Sequence, residues 1–74
     1  MSTETTIEWR TDPNGGYIAN PAAGVGMSVE PIIAGNGRFY WSVWRLLRRI
    51  GSGTADTEAE AKARAEEAYR RWTQ

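Results

Sequence analysis

A stripe of alanines at helical spacing near the end of the chain constrains the fold more than any other feature. At about 100° per residue, Ala61, Ala65 and Ala68 share one narrow face, and Trp72 continues it one turn later. The pattern predicts a helix over about residues 57–73. Because alanine side chains are short, this helix can pack closely only against a layer that contributes large side chains.

Cap and charge signals support the same helix. Thr57 is followed three residues later by Glu60, the spacing of a capping box that begins a helix. Ala63 points away from the alanine stripe and is expected in solvent. Four acid-before-base pairs at i,i+4 spacing, each contributing about 0.2–0.5 kcal/mol, follow along the helix: Glu58–Lys62, Glu60–Arg64, Glu66–Arg70 and Glu67–Arg71.

The large side chains come from an aromatic segment over residues 38–44, which alternates in the period of a strand. One predicted face carries Phe39, Trp41 and Val43, and the other carries Tyr40, Ser42 and Trp44. A single helix covers one face of a sheet, so the other face stays in water or meets a partner. We expect the first face beneath the helix.

The remaining extended segments and turns complete the predicted fold, which is α+β: an antiparallel β-meander of three or four strands with one C-terminal α-helix packed on one face. Extended patterns occur at residues 6–11, 17–19, 27–33 and 50–55, separated by turn signals at residues 12–16 and at Asn36-Gly37. Pro31 limits pairing of the third segment because proline has no N–H to donate. Residues 1–5 are predicted to be disordered, and residues 6–74 to form a single small domain.

Composition excludes several classes of function. The 74 residues contain no cysteine and no histidine, which removes disulfides, thiolate metal sites and the usual neutral-pH proton shuttle. Nine basic and nine acidic residues balance, and no apolar run reaches membrane-spanning length. The glycine pairs at 24–26 and 51–53 lack the spacing of a phosphate loop. We therefore expect a non-enzymatic, cytoplasmic domain with no catalytic residue, metal ligand set, cofactor or membrane contact.

The segment Arg45–Arg49 has no evident folding role, because its adjacent leucines lie where a turn usually takes Gly, Asn or Asp. It is either the projecting tip of a hairpin or part of a longer strand that buries Leu46 or Leu47. Exposed aromatic residues and arginines mark partner sites. The candidate partner-binding residues are accordingly Arg38, Tyr40, Trp44, Arg45, Leu46, Leu47, Arg48 and Arg49.

The aromatic strand together with the glycine-rich strand and alanine helix that follow it, residues 38–72, resembles the closing half of small phage- or prophage-encoded proteins. Some members of that group, among them anti-CRISPR proteins, inhibit bacterial defence systems. The resemblance implies a sheet-plus-helix fold and a host protein or ribonucleoprotein complex as partner. It carries over no site residue.

A second interpretation is a sheet-based nucleic-acid-binding domain, similar to the arm-binding domains of phage integrases. It uses the arginines Arg38, Arg45, Arg48 and Arg49. The zero net charge favours a protein-binding module over a basic nucleic-acid binder. A homodimer through the uncovered sheet face also stays open.

Overall fold

The computed structural model describes residues 7–13, 15–32 and 37–73, which form a five-stranded antiparallel sheet and one helix. Each strand pairs with the next one along the chain, so the sheet is a meander, and the α+β prediction is confirmed. The predicted count of three or four strands is too low. The elements are β1 (Arg10–Thr11), β2 (Tyr17–Ala19), β3 (Val25–Pro31), β4 (Phe39–Arg45), β5 (Arg48–Ala55) and α1 (Glu58–Thr73).

The first strand is shorter than the predicted 6–11 because only Arg10–Thr11 pairs with β2. Extending that register would place Ile7 opposite Pro21, which has no N–H to donate to a ladder. Ile7 and Trp9 nevertheless pack against the core, as their alternation indicates. The short β1 and β2 are strands in their own right, which brings the number to five.

Two other strands begin two residues earlier than expected, β3 at Val25 and β5 at Arg48. β3 ends at Pro31, short of the predicted segment 27–33, whose last residue lies outside the described part of the chain. The turn after β1 closes with a hydrogen bond from the Asp12 N–H to the Gly16 carbonyl of 2.7 Å. The predicted disorder of residues 1–5 and the Asn36 position of the second turn lie outside the described residues.

The alanine stripe of α1 faces the sheet, as the sequence predicts. Ala61 and Ala65 are fully buried, whereas Ala63 on the opposite side is exposed. The sheet contributes its largest fully buried side chains, Met27, Val29 and Val43, to the same layer.

Trp41 fills the space between helix and sheet because its neighbours are small. On β5, a Cβ atom at Gly51 would lie 3.0 Å from the Ala68 Cβ and 3.3 Å from the Trp41 ring. A Cβ atom at Gly53 would lie 3.1 Å from the same indole. The two glycines and the alanine therefore leave the volume that the indole occupies.

The cap and the charge pairs of α1 also form. The Glu60 N–H donates to Thr57 Oγ1 at 3.1 Å, while Glu60 Oε1 accepts from the Asp56 N–H at 3.4 Å. The return bond thus reaches one residue further back than a standard capping box does. All four predicted i,i+4 pairs are present, with N–O distances of 2.8, 2.9, 3.6 and 3.0 Å in chain order.

Enlarging the buried stripe should destabilise the fold. We expect Ala65→Leu to cost about 1–3 kcal/mol, because the extra side chain must be forced between α1 and β4. The matched change Ala63→Leu lies in solvent and should leave the free energy of unfolding nearly unchanged. Urea melts of both variants measure the difference, and equal tolerance would contradict the helix facing described here.

Candidate functional site

Residues Arg45–Arg49, called the tip below, form the end of the β4–β5 hairpin rather than a longer strand. Arg45 pairs with Arg48 across the ladder, which leaves Leu46 and Leu47 as a two-residue turn. The hairpin therefore presents two leucines where polar or glycine residues are usual.

Leu46 adopts a backbone conformation that L-residues other than Gly, Asn and Asp rarely take. Its φ is +55°, and among the described residues it is the one non-glycine with a positive φ. This region costs an ordinary L-residue roughly 1–2 kcal/mol. The Leu46 N–H donates to the Gly24 carbonyl at 2.7 Å, and this bond ties the tip to the β2–β3 turn.

Both turn leucines are open to solvent. The exposed fraction is 69% for Leu46 and 97% for Leu47. The Leu46 side chain still lies close to Gly24. A Cβ atom added at Gly24 would lie 3.1 Å from the Leu46 Cδ2 atom. The Leu47 side chain adds almost nothing to the core.

Two arginines of the tip stack on tryptophans from opposite faces of the sheet. The Arg45 guanidinium carbon lies 5.1 Å from the Trp72 ring centroid, on the helix side. The Arg49 guanidinium carbon lies 5.7 Å from the Trp44 ring centroid, on the open side. Such cation–π contacts orient a guanidinium while leaving its N–H edge available.

The tip arginines differ from most other cations of the protein in their charge partners. Arg38 pairs with Asp56 at 3.2 Å, and the helix cations pair with glutamates one turn earlier. Within the described part of the chain, no carboxylate lies within ion-pair distance of Arg45, Arg48 or Arg49. A chain of zero net charge thus has a local excess of positive charge at one end of its sheet.

The structure divides the eight candidate residues between the two ends of β4. Six of them belong to the tip or adjoin it: Trp44, Arg45, Leu46, Leu47, Arg48 and Arg49. Arg38 lies at the other end, where it pairs with Asp56 and donates to Thr54 Oγ1 at 3.2 Å. Tyr40 is half-buried and lies four residues before Trp44, a separation of about 13 Å along a strand. Neither Arg38 nor Tyr40 joins the tip.

Trp72 and Ile50 join the site although the sequence analysis did not include them. Together with the tip they enclose a groove of about 470 Å³, lined by Arg45, Leu46, Leu47, Arg48, Ile50 and Trp72. The sequence could have indicated Trp72, because it lies one turn after Ala68 on the face that carries the alanine stripe. Its exposed fraction of 42% shows that it extends beyond the core.

A smaller groove of about 260 Å³ lies on the open face of the sheet beside Trp44, whose exposed fraction is 40%. Ser28 and Ser42 lie on the same face and share a hydrogen bond of 2.8 Å between their hydroxyls. One hydroxyl donates to the other, and both side chains on this part of the face are small.

One cluster of charged and aromatic groups, called the clasp below, joins α1 to β2 and to the segment before β1. It consists of Trp9, Tyr17, Glu58, Lys62 and Glu66. Lys62 Nζ lies 2.8 Å from Glu58 Oε2, 3.8 Å from the Tyr17 ring centroid and 5.8 Å from the Trp9 ring centroid. The Trp9 indole N–H donates to Glu66 Oε2 at 2.8 Å.

The clasp shifts the ionisation of two members. A hydrogen bond from the Lys62 ammonium, followed by one from Tyr17, lowers the pKa of Glu58. The hydrogen bond to the Glu58 carboxylate, with its negative charge, raises the pKa of Tyr17. The lowered pKa keeps the Glu58 carboxylate charged, and the raised pKa keeps the Tyr17 phenol neutral. A charged carboxylate that accepts a hydrogen bond from a neutral phenol is typical of a structural contact.

Among residues 7–13, 15–32 and 37–73, no three acidic, histidine or cysteine side chains gather as metal ligands. The helix α1 is too short and too polar to cross a bilayer.

Comparison of the chain with protein-family models, with curated proteins and with solved structures gave no match.

Relieving the strain at the turn should not harm the fold. We expect Leu46→Gly to leave the free energy of unfolding unchanged or to raise it by up to about 1 kcal/mol, because glycine tolerates positive φ. Chemical denaturation measures the change, with Leu47→Gly, at a position without positive φ, as the control. A loss well above 1 kcal/mol for Leu46→Gly would show that its side chain supports the fold.

The clasp should weaken in acid. The folded-state pKa values of Glu58 and Glu60 are lowered, so the unfolded chain takes up protons first as the pH falls, and folding stability decreases. We expect the melting temperature to decline below about pH 4.5, near the unfolded pKa of a glutamate. Glu58→Gln should show a shallower decline than wild type in thermal melts across this range. Identical slopes would contradict the role of Glu58.

Proposed function

We propose that this chain is a non-enzymatic protein-binding module whose contact surface is the tip. The observation that carries the proposal is a pair of exposed leucines at a turn that strains Leu46. Glycine, asparagine or aspartate at position 46 would relieve the strain. The side chain of Leu47 is almost fully exposed and therefore contributes nothing to folding through burial. The leucines gain a favourable role only when a second molecule covers them.

The size of the gain is appropriate for binding. Full burial of a leucine side chain contributes about 1.5–3 kcal/mol relative to exposure. Arginine is among the residues enriched at the energetic centre of protein interfaces. Arg45, Arg48 and Arg49 surround the leucines, and no carboxylate of the described residues lies within ion-pair distance of them, so an acidic rim on the partner would complement them.

A narrower proposal concerns the biological setting. The partner is a host protein or ribonucleoprotein complex in the cytoplasm of a bacterium, and the tip blocks a functional site on it, as an inhibitor of a defence system does. The support is the resemblance of residues 38–72 to small phage-encoded proteins. The geometry of the tip supports the contact itself, and the resemblance supports the identity of the partner.

Nucleic-acid binding is the second candidate, because three arginines that pair with no carboxylate of the described residues lie beside two exposed indoles. A phosphate-led contact weakens steeply with salt, with a slope in log–log form of about −0.7 to −0.9 per phosphate neutralised. A protein contact anchored by Leu47 has a shallower salt dependence and is lost on truncation of the leucine. The two measurements separate the candidates.

Photo-crosslinking from the tip tests the proposal. We expect a benzophenone amino acid at position 47 to capture a protein from nuclease-treated host lysate, and Leu47→Ser to compete poorly with wild type for that capture. Position 52 is the matched control, because Ser52 is exposed midway along β5, the edge strand next to β4, on the open face of the sheet. Capture from position 52 alone would move the contact to the sheet face. Capture of nucleic acid alone would favour the second candidate.

A further inference from the structure

We propose that the groove between the tip and the last turn of α1 takes a short acidic segment of the partner protein. A large apolar side chain of that segment inserts beside Trp72, and its carboxylates pair with Arg45 and Arg48. This inference rests on the proposed function and names the chemistry of the partner.

The shape of the groove fits a peptide side chain. Its volume of about 470 Å³ lies within the range of roughly 300–1,000 Å³ typical of ligand sites. Leu46, Ile50 and Trp72 supply apolar walls from three elements: the turn, β5 and α1. Ile50 and Trp72 are both only partly covered by the protein itself.

The charge of the groove selects an acidic occupant. The Trp72 ring holds the Arg45 guanidinium in place at 5.1 Å, so less conformational freedom is lost when Arg45 binds a carboxylate. A guanidinium can donate two parallel hydrogen bonds to a carboxylate. Arg48 is exposed beside it, and none of the described residues that line the groove is acidic.

The surface beyond the groove disfavours a nucleic-acid strand. A strand needs a continuous positive path for its successive phosphates. On the adjoining helix the cations are already neutralised, with Arg71 bound to Glu67 at 3.0 Å and Arg70 near Glu66 at 3.6 Å. Among the described residues on this side of the sheet, the positive charge without a carboxylate partner is therefore that of Arg45 and Arg48 at the groove, while Arg49 stacks on Trp44 on the opposite face. Two cations side by side suit a few carboxylates around one apolar side chain.

Fluorescence anisotropy with synthetic peptides tests this inference. The probe is a fluorescein-labelled peptide of Asp and Glu residues around a central Leu-Phe pair, and the control peptide replaces every acid by its amide. We expect the acidic peptide to bind, and we expect the dissociation constant of the amide peptide to be larger by about tenfold or more.

Matched neutralisations locate the site. Arg48→Gln and Arg38→Gln remove the same charge at opposite ends of β4, and we expect only Arg48→Gln to weaken the acidic peptide, by about tenfold. Trp72→Ala should weaken it as well. Because Arg48 is exposed, the thermal melt of Arg48→Gln should match wild type. More than half of Trp72 is covered by the protein, so Trp72→Ala should lower the melting temperature, and its circular dichroism spectrum at the assay temperature must match wild type for its peptide binding to count.

Several results would overturn the inference. They are equal binding of both peptides, equal loss in the two arginine variants, tighter binding of a short oligothymidylate, or self-association in sedimentation that Trp72→Ala abolishes. If neither peptide binds while position 47 still captures a protein, the inference fails and the proposed function stands. If both experiments fail, the proposed function fails with it.

Discussion

The position of one indole determines much of this structure. Trp41 occupies a space that exists only because β5 carries glycine at positions 51 and 53 and α1 carries alanine at position 68. In the β4–β5 ladder, Val43 pairs with Gly51 and Trp41 with Gly53. A shift by one residue would place Ser52 beneath the indole and move every side chain of β5 to the opposite face.

That register also shapes the tip. Continued without interruption, it would pair Arg45 with Arg49 and leave three residues in the loop. A bulge between Val43 and Trp44 changes the register by one, so Arg45 pairs with Arg48 and the loop shortens to two residues. A two-residue turn favours positive φ at its first central position, which is where Leu46 lies. The strained leucine is thus linked through one bulge to the packing of Trp41.

Periodicity predicted the parts of the fold that repeat. The alanine stripe specified which face of α1 is buried, and the aromatic alternation specified which face of β4 it covers. The number of strands depended on pairing instead, since β1 is only two residues long and counts as a strand only because Arg10 and Thr11 pair with β2. A local pattern does not show which residues of another segment lie opposite.

The site was predictable in part for the same reason. Arg38, Arg45, Arg48 and Arg49 look equivalent in the sequence, and only the ladder separates Arg38, with its partner Asp56, from the other three. Trp72 lines the groove only because α1 ends close to the β4–β5 turn. That proximity is set by the tertiary structure and cannot be inferred from local sequence patterns. The leucine pair at the tip was visible because it breaks the usual chemistry of turns.

The clasp covers the side-chain nitrogen of Lys62. Lys62 is the one lysine among the 74 residues, and its side chain is 23% exposed, held between a carboxylate and two aromatic rings. A lysine nitrogen must be accessible to attack an acylating reagent, so the contact that fixes the helix to β2 also shields this nitrogen. The rate at which such a reagent modifies Lys62 would therefore report how often the N-terminal part of the sheet separates from the helix, without any added label.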